Sequence, residues 1–282
     1  MAEGVELALG ATIFYGLADW VYKRAAASGV PAHHFLALQA FFFAPGIFLY
    51  GLMTGTLVLG VPFAWGMMAG VLVFVALYNF ARSLASGAVS IVAPVFRLSF
   101  AITAALAVWL LDEPLTIWKL AGLAASLAAV WLLLAGAPAS APRATASSVL
   151  RVVVATVAMG IVSLIYKLGA IAGGSPATVL TGQASVFLPL ATLFAIARDR
   201  GFQPPPGAWR HGATAAVLLL IGLVMLLAGL ARGEASVLVP VAQLSFVVTA
   251  GLGFVFLRET LTLRKGFGLA FAIAALICLA RS

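Results

Sequence analysis

Ten long apolar stretches follow one another along this chain, near residues 5–25, 33–52, 63–84, 88–111, 117–136, 149–171, 177–197, 212–231, 235–257 and 262–280. A bilayer core is about 30 Å thick and a helix rises about 1.5 Å per residue, so each stretch is long enough to cross it. Lipid gives a bare backbone no hydrogen bonds, and a spanning segment therefore closes its amides within a helix. Composition agrees: 9% of the 282 residues are charged and 64% hydrophobic. Soluble domains carry about 25% and about 45–50%, so this chain has too little polar surface to face water all round. An all-α membrane protein with ten transmembrane helices is expected.

The net charge of +8 does not point to nucleic acid, because the basic residues stand singly or in pairs at the ends of apolar stretches. Cys278 is the one cysteine, which excludes an intrachain disulfide and a thiolate cluster. The opening MAEGVELALG has no basic segment, and Asp19 interrupts the first stretch, so a cleaved signal peptide is not expected. There is no glycine-rich phosphate loop, no Ser/His/Asp order and no His-Glu-x-x-His, which predicts no enzyme, no cofactor and no direct use of ATP. His33 and His34 precede the second stretch without a third ligand at metal-site spacing, so no metal is expected either.

The chain repeats itself. At an offset of 144 Gly16 matches Gly160, Tyr22-Lys23 matches Tyr166-Lys167, Gln39 matches Gln183 and Pro45 matches Pro189. At an offset of 146 Gly87 matches Gly233, Pro94 matches Pro240, Leu98-Ser99-Phe100 matches Leu244-Ser245-Phe246, and Glu113 and Lys119 match Glu259 and Lys265. Each half holds five spans, and an odd number makes the second half enter the membrane from the opposite face. The expected organisation is a pair of inverted five-helix repeats, 1–136 and 149–282, joined by the Ala/Pro/Ser-rich linker 137–148.

These motifs resemble the drug/metabolite transporter superfamily, in its ten-helix EamA type. The family pattern is a proline in the fourth span of each half, an apolar run, a Gly-Glu or similar pair, and Leu-Thr. It reads here as APVFRLSFAITAALAVWLLDEPLT (93–116) and VPVAQLSFVVTAGLGFVFLRETLT (239–262). Asp112 and Arg258 stand where the family commonly has glycine. The resemblance implies a basket of helices around a central cavity. It also implies alternating access, with amino acids, other metabolites or drugs moved outward.

The polar residues inside the spans support the same picture on physical grounds. A charge at membrane depth costs about 2.5–3.5 kcal/mol even on permissive scales, so each needs a reason. Thr12, Tyr15, Asp19 and Tyr22 form a stripe at helical spacing, matched by Thr156, Met159, Ser163 and Tyr166. Arg97 shares a face with Ser90 and Pro94, and Ser236, Pro240 and Gln243 share the matching face. Candidate substrate-binding residues are therefore Tyr15, Asp19, Tyr22, Gln39, Tyr78, Arg97, Tyr166, Gln183 and Gln243. Pro94 and Pro240, which break the amide ladder, are candidate hinges. Structural readings stand beside these: Asp19 neutralises Arg97 or Lys23, and the glutamines bridge helices. Glu113 and Glu259, beside Lys119 and Lys265, read as interfacial anchors or as N-terminal caps of the following helix.

A secondary transporter exporting small metabolites such as amino acids is the expected function, in the inner (plasma) membrane, with protons as a candidate coupling ion carried on Asp19. The alternatives are a lipophilic-cation exporter, a nucleotide-sugar-like carrier, and an intramembrane enzyme or scaffold. With ten spans both termini share one face, which carries Lys119, Lys167, Arg232 and Arg281, while the other face has eleven basic residues. Positive loops stay cytoplasmic, so the termini are expected outside.

Overall fold

In a computed structural model, described over residues 3–86, 95–134, 146–199, 201–257 and 262–282, every regular element is a helix. In chain order these are α1 (Val5–Ala27), α2 (Ala32–Thr54), α3 (Val61–Ser86), α4 (Ser99–Leu110), α5 (Ile117–Leu134) and α6 (Ala146–Ile171). They continue as α7 (Pro176–Asp199), α8 (Ala208–Leu230), α9 (Ala235–Gln243), α10 (Ser245–Leu257) and α11 (Leu263–Ala280). Among the described residues, α2, α3, α6, α7, α8 and the α9–α10 run are long and apolar enough to cross a membrane. Shorter apolar helices cover Val95–Leu110, Ile117–Leu133 and Gly266–Ala280. Exposed Leu49, Trp109, Trp131 and Ile273 give the outer surface its lipid-facing character.

Packing follows the repeat. The first helix of each half lies against the third of the other, α1 on α8 and α6 on α3, while α2 packs on α7. The last helices of the halves, α5 and α11, pair with each other. Helices whose sequence positions correspond thus make corresponding contacts, as two inverted five-helix repeats require.

Two glycines show why the register is strict. A Cβ on Gly16 would lie 2.4 Å from Val248 Cβ and 2.7 Å from the Ser245 carbonyl oxygen. One on Gly160 would lie 2.7 Å from Ile102 Cγ2 and 3.0 Å from the Ser99 oxygen. The contacts are the same pair displaced by the repeat offset. Close backbone approach through small residues is how helices associate where lipid supplies no hydrophobic drive. Thr249 and Thr103 use that proximity, donating hydrogen bonds to the Gly16 and Gly160 carbonyls, each at 3.0 Å.

The fourth span of each half is interrupted at Leu98 or Leu244, where the amide donates to the carbonyl three residues back, Val95 at 3.0 Å or Val241 at 3.1 Å. Sequence reasoning places the break at the prolines. Pro240 instead sits inside α9, and the discontinuity falls one turn beyond it. Pro94 lies outside the described residues, as do Ser90, Gly87, Arg258 and Glu259. Hydroxyls from the opposite half reach the carbonyls at these breaks, Thr12 to Val241 at 2.9 Å and Thr156 to Val95 at 3.1 Å.

Candidate functional site: a central cavity with one ion pair

The polar stripes of α1 and α6 face each other across a cavity of about 320 Å³. Tyr15, Asp19 and Tyr22 line it from α1, Gln39 from α2, Ser163 and Tyr166 from α6, Gln183 from α7, with Arg97 and Gln243 from the two fourth spans. The stripe exists because residues three and four apart share a helix face, and a face that polar has no place against lipid. Phe43, Leu77, Phe80, Phe96, Phe187 and Leu223 complete the wall.

Two hydrogen bonds repeat the internal symmetry. The Tyr22 hydroxyl donates to Gln39 Oε1 and the Tyr166 hydroxyl donates to Gln183 Oε1, each joining the first helix of a half to its second. These pairs hold four polar groups in fixed rotamers on opposite walls. The Tyr15 hydroxyl is buried with no hydrogen-bond partner among the described residues, although its ring borders the cavity.

Charge breaks the symmetry. Arg97 Nη2 donates to Asp19 Oδ2 at 2.6 Å, and its Nη1 donates to Gln243 Oε1 at 3.2 Å and Ser245 Oγ at 3.4 Å. Ser245 in turn donates to Asp19 Oδ2 at 3.2 Å. The residues matching Arg97 and Asp19 in the other half are Gln243 and Ser163, both neutral. One carboxylate and one guanidinium therefore stand in a frame that is otherwise duplicated, about a quarter to a third exposed at 30% and 23%. Both line the cavity.

The profile of the EamA-like transporter family matches residues 2–135 and again 146–281. The chain belongs to the EamA-like transporter family. That family is one of membrane transporters, and the long apolar helices of this EamA-like protein fit a multi-pass membrane protein. It is 38% identical over 72 residues to the uncharacterized protein MJ1333.1 of Methanocaldococcus jannaschii, a match covering 26% of this chain and 53% of that one. The chain thus aligns with only about half the length of that relative. A solved crystal structure superposes with a TM-score of 0.82 over 98% of this chain and 95% of its own, at 18% identity, a likeness of fold.

In the EamA-like fold eight of the nine binding residues expected from sequence border this one cavity. The ninth, Tyr78, lines a second space of about 780 Å³ with Pro31, His33, Arg82, Arg151 and Arg198. Leu77 and Phe187 border both, so the larger space, termed the vestibule, adjoins the smaller. Its rim consists of helix ends on the face richer in basic residues. Ser245 was visible in sequence only as a repeat match, and its part in the ion-pair network comes from the break at Leu244, which brings it beside Asp19. The phenylalanines carry no signal separating them from lipid-facing ones.

On the opposite face, Glu113 is a cap, but for a helix of the other half. Its carboxylate accepts from the Ala235 amide at 2.8 Å, the Ser236 amide at 2.9 Å and the Ser236 hydroxyl. Glu234, the residue before α9, makes no side-chain cap itself and pairs instead with Lys119, whose ammonium also donates to the Pro114 carbonyl at 2.6 Å. Sequence proximity favours the following helix as Glu113's target; the folded chain brings α9 closer.

Proposed function

We propose that this protein is a secondary transporter that exports small zwitterionic metabolites, amino acids foremost, across the inner (plasma) membrane by alternating access. The observation that carries this reading is the Asp19–Arg97 pair in the cavity wall. An ammonium can take the place of the guanidinium on Asp19 while a carboxylate takes the place of Asp19 on Arg97. The net charge of the site is unchanged by that exchange, and no charge is left buried without a partner. A lone lipophilic cation would have to share one carboxylate with Arg97, which argues against that class. The unpartnered Tyr15 hydroxyl and the two Tyr–Gln pairs offer further hydrogen bonds, and the aromatic wall suits an apolar side chain.

Size supports a small solute. Small-molecule sites run from about 300 to about 1,000 Å³, and 320 Å³ lies at the bottom of that range, which favours a small solute over a nucleotide sugar. The vestibule adjoins the cavity on the basic face, which the positive-inside rule assigns to the cytoplasm, and in this reading a cytoplasmic solute enters through it. On the other face Glu113 and Lys119 tie the halves 1–136 and 149–282 together across α9. In this reading Pro94 and Pro240 weaken the fourth spans so that the halves can rock, and Asp19 is the carboxylate on which a coupling proton would ride. Flux of radiolabelled amino acids from proteoliposomes tests it: Asp19→Asn and Arg97→Ala should each abolish transport in protein that is folded and inserted. Normal flux in both variants overturns the reading.

A further inference from the structure

Where α2 begins and α7 ends, three metal-ligating side chains meet from positions far apart in sequence. His33 Nε2 lies 2.6 Å and His34 Nε2 lies 2.8 Å from the same oxygen, Asp199 Oδ2. All three ligand atoms fall within 4.8 Å of one another. Sequence spacing gives no hint of this, because Asp199 lies 166 residues beyond His33, in the other half of the chain.

We propose that His33, His34 and Asp199 form a binding site for a late first-row divalent ion, Zn²⁺ foremost, at the rim of the vestibule. Two histidines and a carboxylate are a common ligand set for zinc in an open, four-coordinate site, with water or an anion in the last position. Zinc–ligand bonds of about 2.0–2.1 Å at a tetrahedral angle put ligand atoms about 3.3 Å apart, so the two His–Asp spacings need open by only about 0.5–0.7 Å. The imidazoles are already held in place. His34 meets Phe202 at a centroid distance of 5.5 Å, His33 meets Phe194 edge-on at 6.5 Å, and the two imidazole rings lie 4.5 Å apart. The histidine side chains are only 11% and 4% exposed, while Asp199 at 38% leaves one side accessible to an entering ion.

A further observation bears on which ion the site would hold. The vestibule that His33 borders is also ringed by Arg82, Arg151 and Arg198. That positive surround works against ions held by charge alone, such as Mg²⁺ and Ca²⁺, which prefer shells of oxygen. Imidazole nitrogen favours Zn²⁺, Co²⁺ or Ni²⁺. A bound ion would bolt α2 to α7, the corresponding helices of the two repeats, on the face where the vestibule lies.

The test uses full-length, chelator-treated protein in detergent micelles, titrated with Co²⁺ and followed by its d–d absorption, with Zn²⁺ as competitor and metal content measured after dialysis. The expected result is one Co²⁺ per chain with the intense absorption of four-coordinate geometry, displaced by Zn²⁺ but not by Mg²⁺ or Ca²⁺. His33→Gln and Asp199→Asn, at more exposed positions than His34, should each weaken binding by about tenfold or more while circular dichroism and elution volume stay those of the parent protein. Absence of Co²⁺ and Zn²⁺ binding at micromolar concentrations, or parental affinity in both variants, overturns the proposal and leaves the cluster a hydrogen-bonded tie between helices.

Discussion

Replacing Glu113 with Gln gives a perturbation whose size follows from the geometry. Helix α9 begins with no side-chain cap from its own flanking residue. Its Ala235 and Ser236 amides, together with the Ser236 hydroxyl, all donate to the Glu113 carboxylate. Glu113 is 8% exposed and Ser236 is fully buried, so water cannot substitute. Glutamine keeps one carbonyl oxygen but turns its NH₂ toward donors, leaving at least one of them unsatisfied. A hydrogen bond to a charged group contributes about 1.5–3 kcal/mol, and an anion at a helix N-terminus about 0.3–1 kcal/mol, up to about 2 when partly buried. Glu113→Gln should therefore destabilise by about 3 kcal/mol. Ser236→Ala, which removes one hydroxyl donor, should cost about 1 kcal/mol. Because both Ser236 donors end on the same oxygen, the double variant should lose less than the sum of the single losses. Unfolding in mixed micelles by SDS titration, followed by far-ultraviolet circular dichroism, measures all three. A loss under about 0.5 kcal/mol for Glu113→Gln, or simple additivity, would show that the carboxylate does not hold α9.

Two other outcomes are expected. Asp112 adopts φ 53°, a left-handed conformation that costs an L-residue about 1–2 kcal/mol, so Asp112→Gly should raise the unfolding midpoint in the same assay and leave transport intact. Alkaline phosphatase fused after Ser282 should be active and a fluorescent protein dark, because the basic residues gather on the face opposite the termini; the reverse result would invert the assigned direction of transport.

Much of the fold is written in the sequence because a membrane imposes simple periodicities. Span length reports bilayer thickness, and the repeat offset links Gly16 to Gly160 and Tyr22 to Tyr166 before any coordinates. The stripe through Thr12, Tyr15, Asp19 and Tyr22 declares which face of α1 avoids lipid. Partnership over long distances is a different matter. Nothing in the neighbourhood of Glu113 announces α9, and nothing near His33 announces Asp199, since a hydrogen bond leaves no periodic trace on either of its ends. Phe80 and Phe96 are equally silent, because an aromatic ring facing a cavity and one facing lipid satisfy the same apolar pattern. The break at Leu244 shows a further limit: proline marks a weakened helix, while packing decides where the weakness is expressed.

The central claim is that one solute engages Asp19 and Arg97 together, and the most direct measurement is uptake by proteoliposomes of a matched set of solutes. The set comprises an amino acid, its N-acetyl derivative lacking the ammonium, its amide lacking the carboxylate, and a lipophilic cation of similar size. The account predicts rapid flux of the unmodified amino acid and little flux of the other three. Transport of the lipophilic cation or the N-acetyl derivative at the amino acid's rate would contradict it.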